Sequence, residues 1–174
     1  GRTTGIVRLS VSSNMPKVPK YNSENLIAMF RLAAELRKRM VEAGFTDNGG
    51  AIHSAERILH LLGLRICFPG LSHVNNLRKH PNAPFSKAAQ LAYQSGARVL
   101  IEHVNPHRAL TRYAIEAIES GIDDAKFAEF VRTHYQLALL TEDETIRLNK
   151  KNRTRIEQDR LGSVGITLAP NGIK

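Results

Sequence analysis

Apolar residues return every three or four positions from residue 22 to residue 44: Leu26, Ile27, Phe30, Ala33 and Ala34, with Arg37 and Val41 in the same phase. That spacing predicts a long helix with one apolar face, opened by Asn22 or Ser23 as its cap and ended at Gly44. Arg31, Lys38 and Arg39 fall off that face. Thr46-Asp47-Asn48-Gly49-Gly50 reads as a loop. A second helix is expected over 51–62, with Ile52, Ala55, Ile58, Leu59 and Leu62 inward and Gly63 closing it. His53 and His60 sit seven apart on it and read as packing residues. The apolar run 64–68 stops at Pro69-Gly70 and reads as a strand or turn. A short helix over 71–79 follows, and His80-Pro81-Asn82-Ala83-Pro84 breaks it. Pro84 is expected to open a helix reaching Gly96, packed through Ala88, Leu91, Ala92 and Tyr93.

After residue 96 the pattern changes. Residues 97–104 hold Val99, Leu100 and Ile101 in a row, then Glu102-His103-Val104-Asn105-Pro106. The aliphatic run predicts a short buried strand, stopped by the proline. Helices are expected from His107 to Ser120 and, capped by Asp123, up to His134. Tyr135-Gln-Leu-Ala-Leu-Leu140 is the second strand candidate. Thr141-Glu142-Asp143-Glu144 is a capping box, so a helix should start there and run past Asn149. At the other end, residues 5–11 alternate weakly as a strand or extended arm, and 16–21 form a basic linker. Nothing repeats. The pattern is α+β and mostly helical: a helical part over 1–96 and a smaller α+β part over 97–174, within one compact domain.

Composition adds a partner. Twenty-five Lys and Arg oppose sixteen Asp and Glu, a formal charge of +9. Such a surplus points to a polyanion, nucleic acid first and an anionic membrane surface second; the plainer reading is a basic enzyme with a small acidic substrate. Six of the cations, Arg147, Lys150, Lys151, Arg153, Arg155 and Arg160, crowd the stretch 147–160, either a nucleic-acid contact or a solvated helix face. Cys67 is the one cysteine, which excludes an internal disulfide and a cysteine zinc knuckle, and fits a reducing, cytoplasmic setting. No apolar run approaches a membrane span, and the first five residues lack the apolar centre of a signal peptide.

Strand, helical insert, strand, capped helix, with an acid and a histidine where the first strand ends: this resembles the HNH nucleases of the ββα-metal fold. Their first motif is an acid or His, His, an aliphatic, any residue and Pro, and Glu102-His103-Val104-Asn105-Pro106 matches each place. Leu139-Leu140-Thr141-Glu142-Asp143-Glu144-Thr145-Ile146-Arg147-Leu148-Asn149 is similar to the second half, a strand ending in two aliphatics and a helix carrying a metal ligand. The resemblance implies a small two-stranded ββα-metal-like core and an endonuclease, a hydrolase of DNA more than RNA. It implies Mg²⁺ or Mn²⁺ as cofactor, His103 as general base, and Glu102 with Glu144 or Thr145 as metal ligands. Asn105 or Asn149 stands for the asparagine that orients the base. The final motif histidine is absent, with Glu144 or Thr145 near its place, and 42 positions separate Glu102 from Glu144 (144 − 102).

Chemistry supports that assignment independently. Phosphodiester hydrolysis needs an activated water, and a neutral imidazole is the natural base at pH 7. It needs a cation at the phosphate, and hard cations take carboxylate oxygens. Arg147, Lys150, Lys151, Arg153 and Arg155 would flank the phosphate path, each contact adding salt-dependent affinity. Simpler roles stand beside these. His103 is then a strand-end histidine on a carbonyl, Glu102 pairs with Arg98 or Arg108, and Glu142 and Glu144 serve the helix N-terminus. Two other functions are carried forward. One is a non-catalytic nucleic-acid binder or nuclease inhibitor. The other is a metal-independent ribonuclease, because Arg98-x-x-x-x-His103 resembles the HEPN motif, which lies on a helix in an all-α dimer. A homodimer is left open on any reading.

Overall fold

The structure is a computed structural model, and it describes residues 21–170. Six α-helices and two strands follow in chain order: α1 (Ser23–Glu42), α2 (Ile52–Cys67), α3 (Lys87–Gln94), β1 (Leu100–His103), α4 (His107–Glu119), α5 (Asp124–His134), β2 (Leu137–Leu140) and α6 (Glu142–Lys150). The expected arm at 5–11 and most of the linker at 16–21 lie outside the described residues.

Side-chain oxygens set several helix starts. Asn22 Oδ1 accepts from the Asn25 amide, Ser86 Oγ from Ala89, and Asp123 Oδ1 from Lys126. At α6 the capping box forms in full: Thr141 Oγ1 accepts from the Glu144 amide, and the Glu144 carboxylate accepts from the Thr141 amide.

Two expectations fail at glycine and proline. Helix α2 does not stop at Gly63 but runs four residues further, taking in most of the segment read as a strand or turn. Gly63 is there because the ring of Tyr135 lies on it: a Cβ at this position would sit 2.4 Å from the ring. Helix α3 starts three residues after Pro84, and its phase is shifted. Ala89 is buried and Ala92 half-buried, while Ala88, Leu91 and Tyr93 are exposed.

Helices α1, α2, α4 and α5 pack on one another around Phe30, Ile52, Leu59, Leu62, Ile115 and Phe127. Phe30 and Phe127 stack with centroids 5.2 Å apart. This core takes in Leu26 at one end of the chain and Leu139 at the other, so both expected parts share it.

Strands β1 and β2 pair antiparallel, Leu100 with Leu140 and His103 with Leu137. The expected pairing is therefore present, each strand two or three residues shorter at its start. Every residue of β2 is buried. Its other edge is covered by residues 84–86, where the Leu139 amide donates to Pro84 and the Ser86 amide to Leu139. Residues 167–169 lie along 85–87 in turn, with the Lys87 amide donating to Thr167 and the Ala169 amide to Phe85. Helix α6 packs against β1, and a small second core of Val104, Ala138, Leu140, Leu148, Leu161 and Ile166 fills the space under it. The result is a mostly helical α+β fold in which two strands and one capped helix form a distinct corner. No helix among the described residues is long and apolar enough to cross a membrane.

Candidate active site

The corner holds a small pocket of about 90 Å³. Glu102, His103 and His107 line it from β1 and the start of α4, Asn149 from α6, and Arg153 and Arg160 from the segment beyond. Adjacent residues of a regular strand point apart. Glu102 and His103 share a pocket because they end the strand: the chain turns at Asn105-Pro106, and α4 begins at His107.

Four rings meet behind this pocket. His103 and His107 stack at 4.5 Å between centroids and 24° between planes. His60, from α2, meets His103 edge-on at 5.4 Å and His107 at 6.1 Å. Tyr135 completes the group at 5.5 Å from His103. Its hydroxyl shares a 2.9 Å hydrogen bond with His60 Nδ1. His107 Nε2 donates to the Glu56 carbonyl at 2.7 Å, which leaves Nδ1 as its acceptor nitrogen. That Nδ1 is buried without a partner among the described residues.

Burial sets the charge of this group. Loss of water, with His107 and His60 adding mutual repulsion, pushes His103 down to about 3. His60 falls to about 4, first from burial and then from its neighbours His107, Arg57 and His73. His107 is lowered by burial too, against the pull of its carbonyl bond. All three imidazoles are therefore neutral at pH 7. Burial raises the Glu102 carboxyl, and Arg153 opposes that shift. Burial also lowers the Arg160 guanidinium, which donates to the carbonyls of Asn152 and Leu148 and keeps its Nε unpaired.

The residues expected from sequence divide sharply. Glu102, His103, Asn149 and Arg153 come together in the pocket. Glu144 does not line it. Its carboxylate is buried and already engaged: Ser86 Oγ donates to Oε1 at 2.5 Å and the Thr141 amide at 3.0 Å. The capping box that announced this helix holds one oxygen of Glu144, Oε1, at the helix start and away from the pocket. Thr145 is buried with its hydroxyl unpaired and is likewise not a lining residue. Asn105 turns away, its amide donating to the His134 carbonyl at 3.0 Å.

Of the basic stretch, Arg147 and Lys150 are exposed. Lys151 and Arg155 both pair with Glu157, at 2.8 and 3.4 Å. These two cations tie the tail back on itself. Arg98 lies 3.9 Å from Glu142, and His103 stands in a strand, so the helix that the HEPN resemblance requires is absent.

Three contributors were not picked out as site residues by sequence: His60, His107 and Arg160. His107 carried a signal, because it stands four positions after His103 and just past the proline. His60 carried none, since its helical phase says only that it faces inward.

Among the described residues no three His, Cys, Asp or Glu side chains are gathered so as to hold a metal ion. Glu102 is the one carboxylate lining the pocket, beside the neutral imidazoles of His103 and His107 and the amide of Asn149. That donor set fits a hard cation that takes one or two protein ligands and completes its shell with waters and phosphate oxygens. No known protein family, curated protein or solved structure matches the chain.

Proposed function

We propose that the chain is a metal-dependent nuclease whose centre is the pocket at the end of β1. The observation that carries this reading is the convergence of Glu102, His103, Asn149, Arg153 and Arg160 on one small cavity, from segments up to 58 positions apart (160 − 102). Glu102 would hold a divalent cation such as Mg²⁺ or Mn²⁺, which supplies charge at the phosphate and at the leaving oxygen. His103, neutral at pH 7, takes the proton from the attacking water. A phosphate placed beside it raises its basicity, because an anion favours the protonated ring. On this reading Asn149 would orient that ring and Arg153 would receive the phosphate oxygens, with the unpaired Nε of Arg160 beside it. Lys150 and Arg147 extend the positive surface along α6 toward the rest of the strand. DNA is the substrate this reading favours.

The test is incubation of labelled DNA and RNA with Mg²⁺ or Mn²⁺, with and without EDTA, for the native chain and His103→Ala. Metal-dependent cutting that the substitution reduces about 10²- to 10⁴-fold is the expected result. Cutting that survives the substitution removes His103 from the reaction.

A second reading, a basic nucleic-acid binder without catalysis, is favoured by one observation: no triad of metal-ligating side chains is gathered among the described residues. It expects salt-sensitive binding and no cutting with any metal.

A further inference from the structure

On the far side of the histidine cluster lies a second cavity, of about 220 Å³. His60 lines it, and the same ring neighbours His103 and His107, which line the pocket at β1. Its floor is apolar, built from Leu61, Leu64 and Val74. Its polar lining carries Arg57, Arg65 and His73, and no carboxylate is among the lining residues. Neither Arg57 nor Arg65 is engaged by an acid among the described residues. The two arginines are eight residues apart on α2, about 12 Å at 1.5 Å per residue, so they bracket the cavity rather than close on one point.

An apolar floor between two uncommitted guanidinium groups suits a ligand with a flat uncharged body and negative charge at its edges. The cavity is smaller than the roughly 300–1,000 Å³ of sites that enclose a whole drug-sized ligand, so it takes a fragment of something larger. A base of a nucleic-acid strand, with phosphates on either side, has that form. Histidine rings and guanidinium planes are surfaces on which unpaired bases stack.

We propose that this cavity receives an unpaired base next to the phosphate received at Arg153 in the pocket at β1, with Arg57 and Arg65 on the flanking phosphates. The proposal rests on the nucleic-acid part of the reading above and names the form of substrate: a strand with at least one base out of the duplex. His60 then stands between the docked base and His103.

The test is fluorescence anisotropy in EDTA, which prevents cutting, with a labelled 12-nucleotide single strand and an abasic strand of equal length and charge. The native chain should bind the base-bearing strand about 5- to 150-fold more tightly, the range for a stacked base. Val74→Trp, which fills the cavity from its floor, should erase that preference while abasic binding persists. Arg57→Ala with Arg65→Ala leaves the floor intact; it should weaken both strands and flatten the dependence on salt. Equal affinity for the two strands in the native chain overturns the proposal, as does a preference that survives Val74→Trp. Adenosine monophosphate that binds alone and leaves the strand in place also overturns it, assigning the cavity to a free nucleotide. Metal-dependent cutting is measured in parallel on the same proteins. Its absence would fault the nuclease reading and leave the base preference standing or falling on its own data.

Discussion

Two carboxylates near the strand pair show how differently one fold corner treats the same chemical group. Glu144, at the start of α6, is 5% exposed and accepts hydrogen bonds from Ser86 and from the Thr141 amide. Ser86 Oγ in turn caps α3, so one carboxylate fastens two helix starts together. Glu102, at the end of β1, is half-buried with no hydrogen bond or ion pair within the described residues, and its neighbours include a buried unpaired His107 nitrogen and an unpaired Arg160 Nε. Buried polar groups without partners cost stability, about 1–3 kcal/mol each, and persist where something else requires them. The satisfied acid belongs to the scaffold. Glu102, without such partners, is the one that the proposed reading assigns to a ligand.

The strongest way to break that contrast is to substitute both acids. Glu102→Gln should lower metal-dependent cutting by about 100-fold or more, since a cation at the phosphate is worth several kcal/mol and each 1.4 kcal/mol is tenfold. Its urea midpoint should hardly move. Glu144→Ala should do the reverse: a loss of about 1–3 kcal/mol in urea unfolding, because Ser86 and the Thr141 amide lose a buried acceptor, with cutting by the folded fraction retained. If Glu144→Ala stops cutting without destabilising the chain, the assignment of the two acids is reversed.

Gly63→Ala tests the cluster behind Glu102. The added methyl meets the Tyr135 ring, so the ring must shift and carry its bond to His60 with it. Overpacking of this kind costs about 1–3 kcal/mol, read from thermal or urea unfolding.

Acid gives a smaller, graded effect. His103 and His60 are lowered to about 3 and about 4 in the fold, against about 6.5 when unfolded. The unfolded chain then binds protons that the folded chain refuses, so stability is full above pH 6.5 and falls as pH drops below it, continuing toward pH 4. The slope is at most about 1.4 kcal/mol per pH unit for each ring. Urea midpoints between pH 7.5 and 5 should show the loss, and His60→Gln should flatten it. The least effect of all is expected from Arg98→Ala, which removes only an exposed contact with Glu142 and should leave cutting unchanged.

Local chemistry was legible in the sequence where it is decided locally. The Thr141 capping box, the Asp123 cap, the existence of the two strands and the end of β1 ahead of Pro106 follow residue order, because caps and prolines act within a few positions. Gly63 misled because a glycine after an apolar stretch ordinarily marks a helix end; here its reason is an aromatic ring 72 positions away (135 − 63). The phase of α3 was misread for a related cause. Ala89 faces the core beside residues 84–86, and the larger Leu91 and Tyr93 are left outside, a choice set by what lies across from the helix. The spacing of Glu144 serves a cap and a ligand equally well; the structure shows the cap, joined by a contact from Ser86 58 positions away (144 − 86), and a pocket at β1 that Glu144 does not line. His60 entered the site through α2, which no spacing within residues 97–160 reports.

The positions of Arg153 and Arg160 have a consequence during synthesis. Glu102, His103 and His107 leave the ribosome some fifty residues before Arg160 does, and the ribbon of 167–169 laid along 85–87 follows later still. A nascent chain therefore carries the acid and the imidazoles well before the guanidinium groups that would grip a phosphate beside them. On the nuclease reading proposed above, the grip on a phosphate is therefore assembled last, after the rest of the corner has been made.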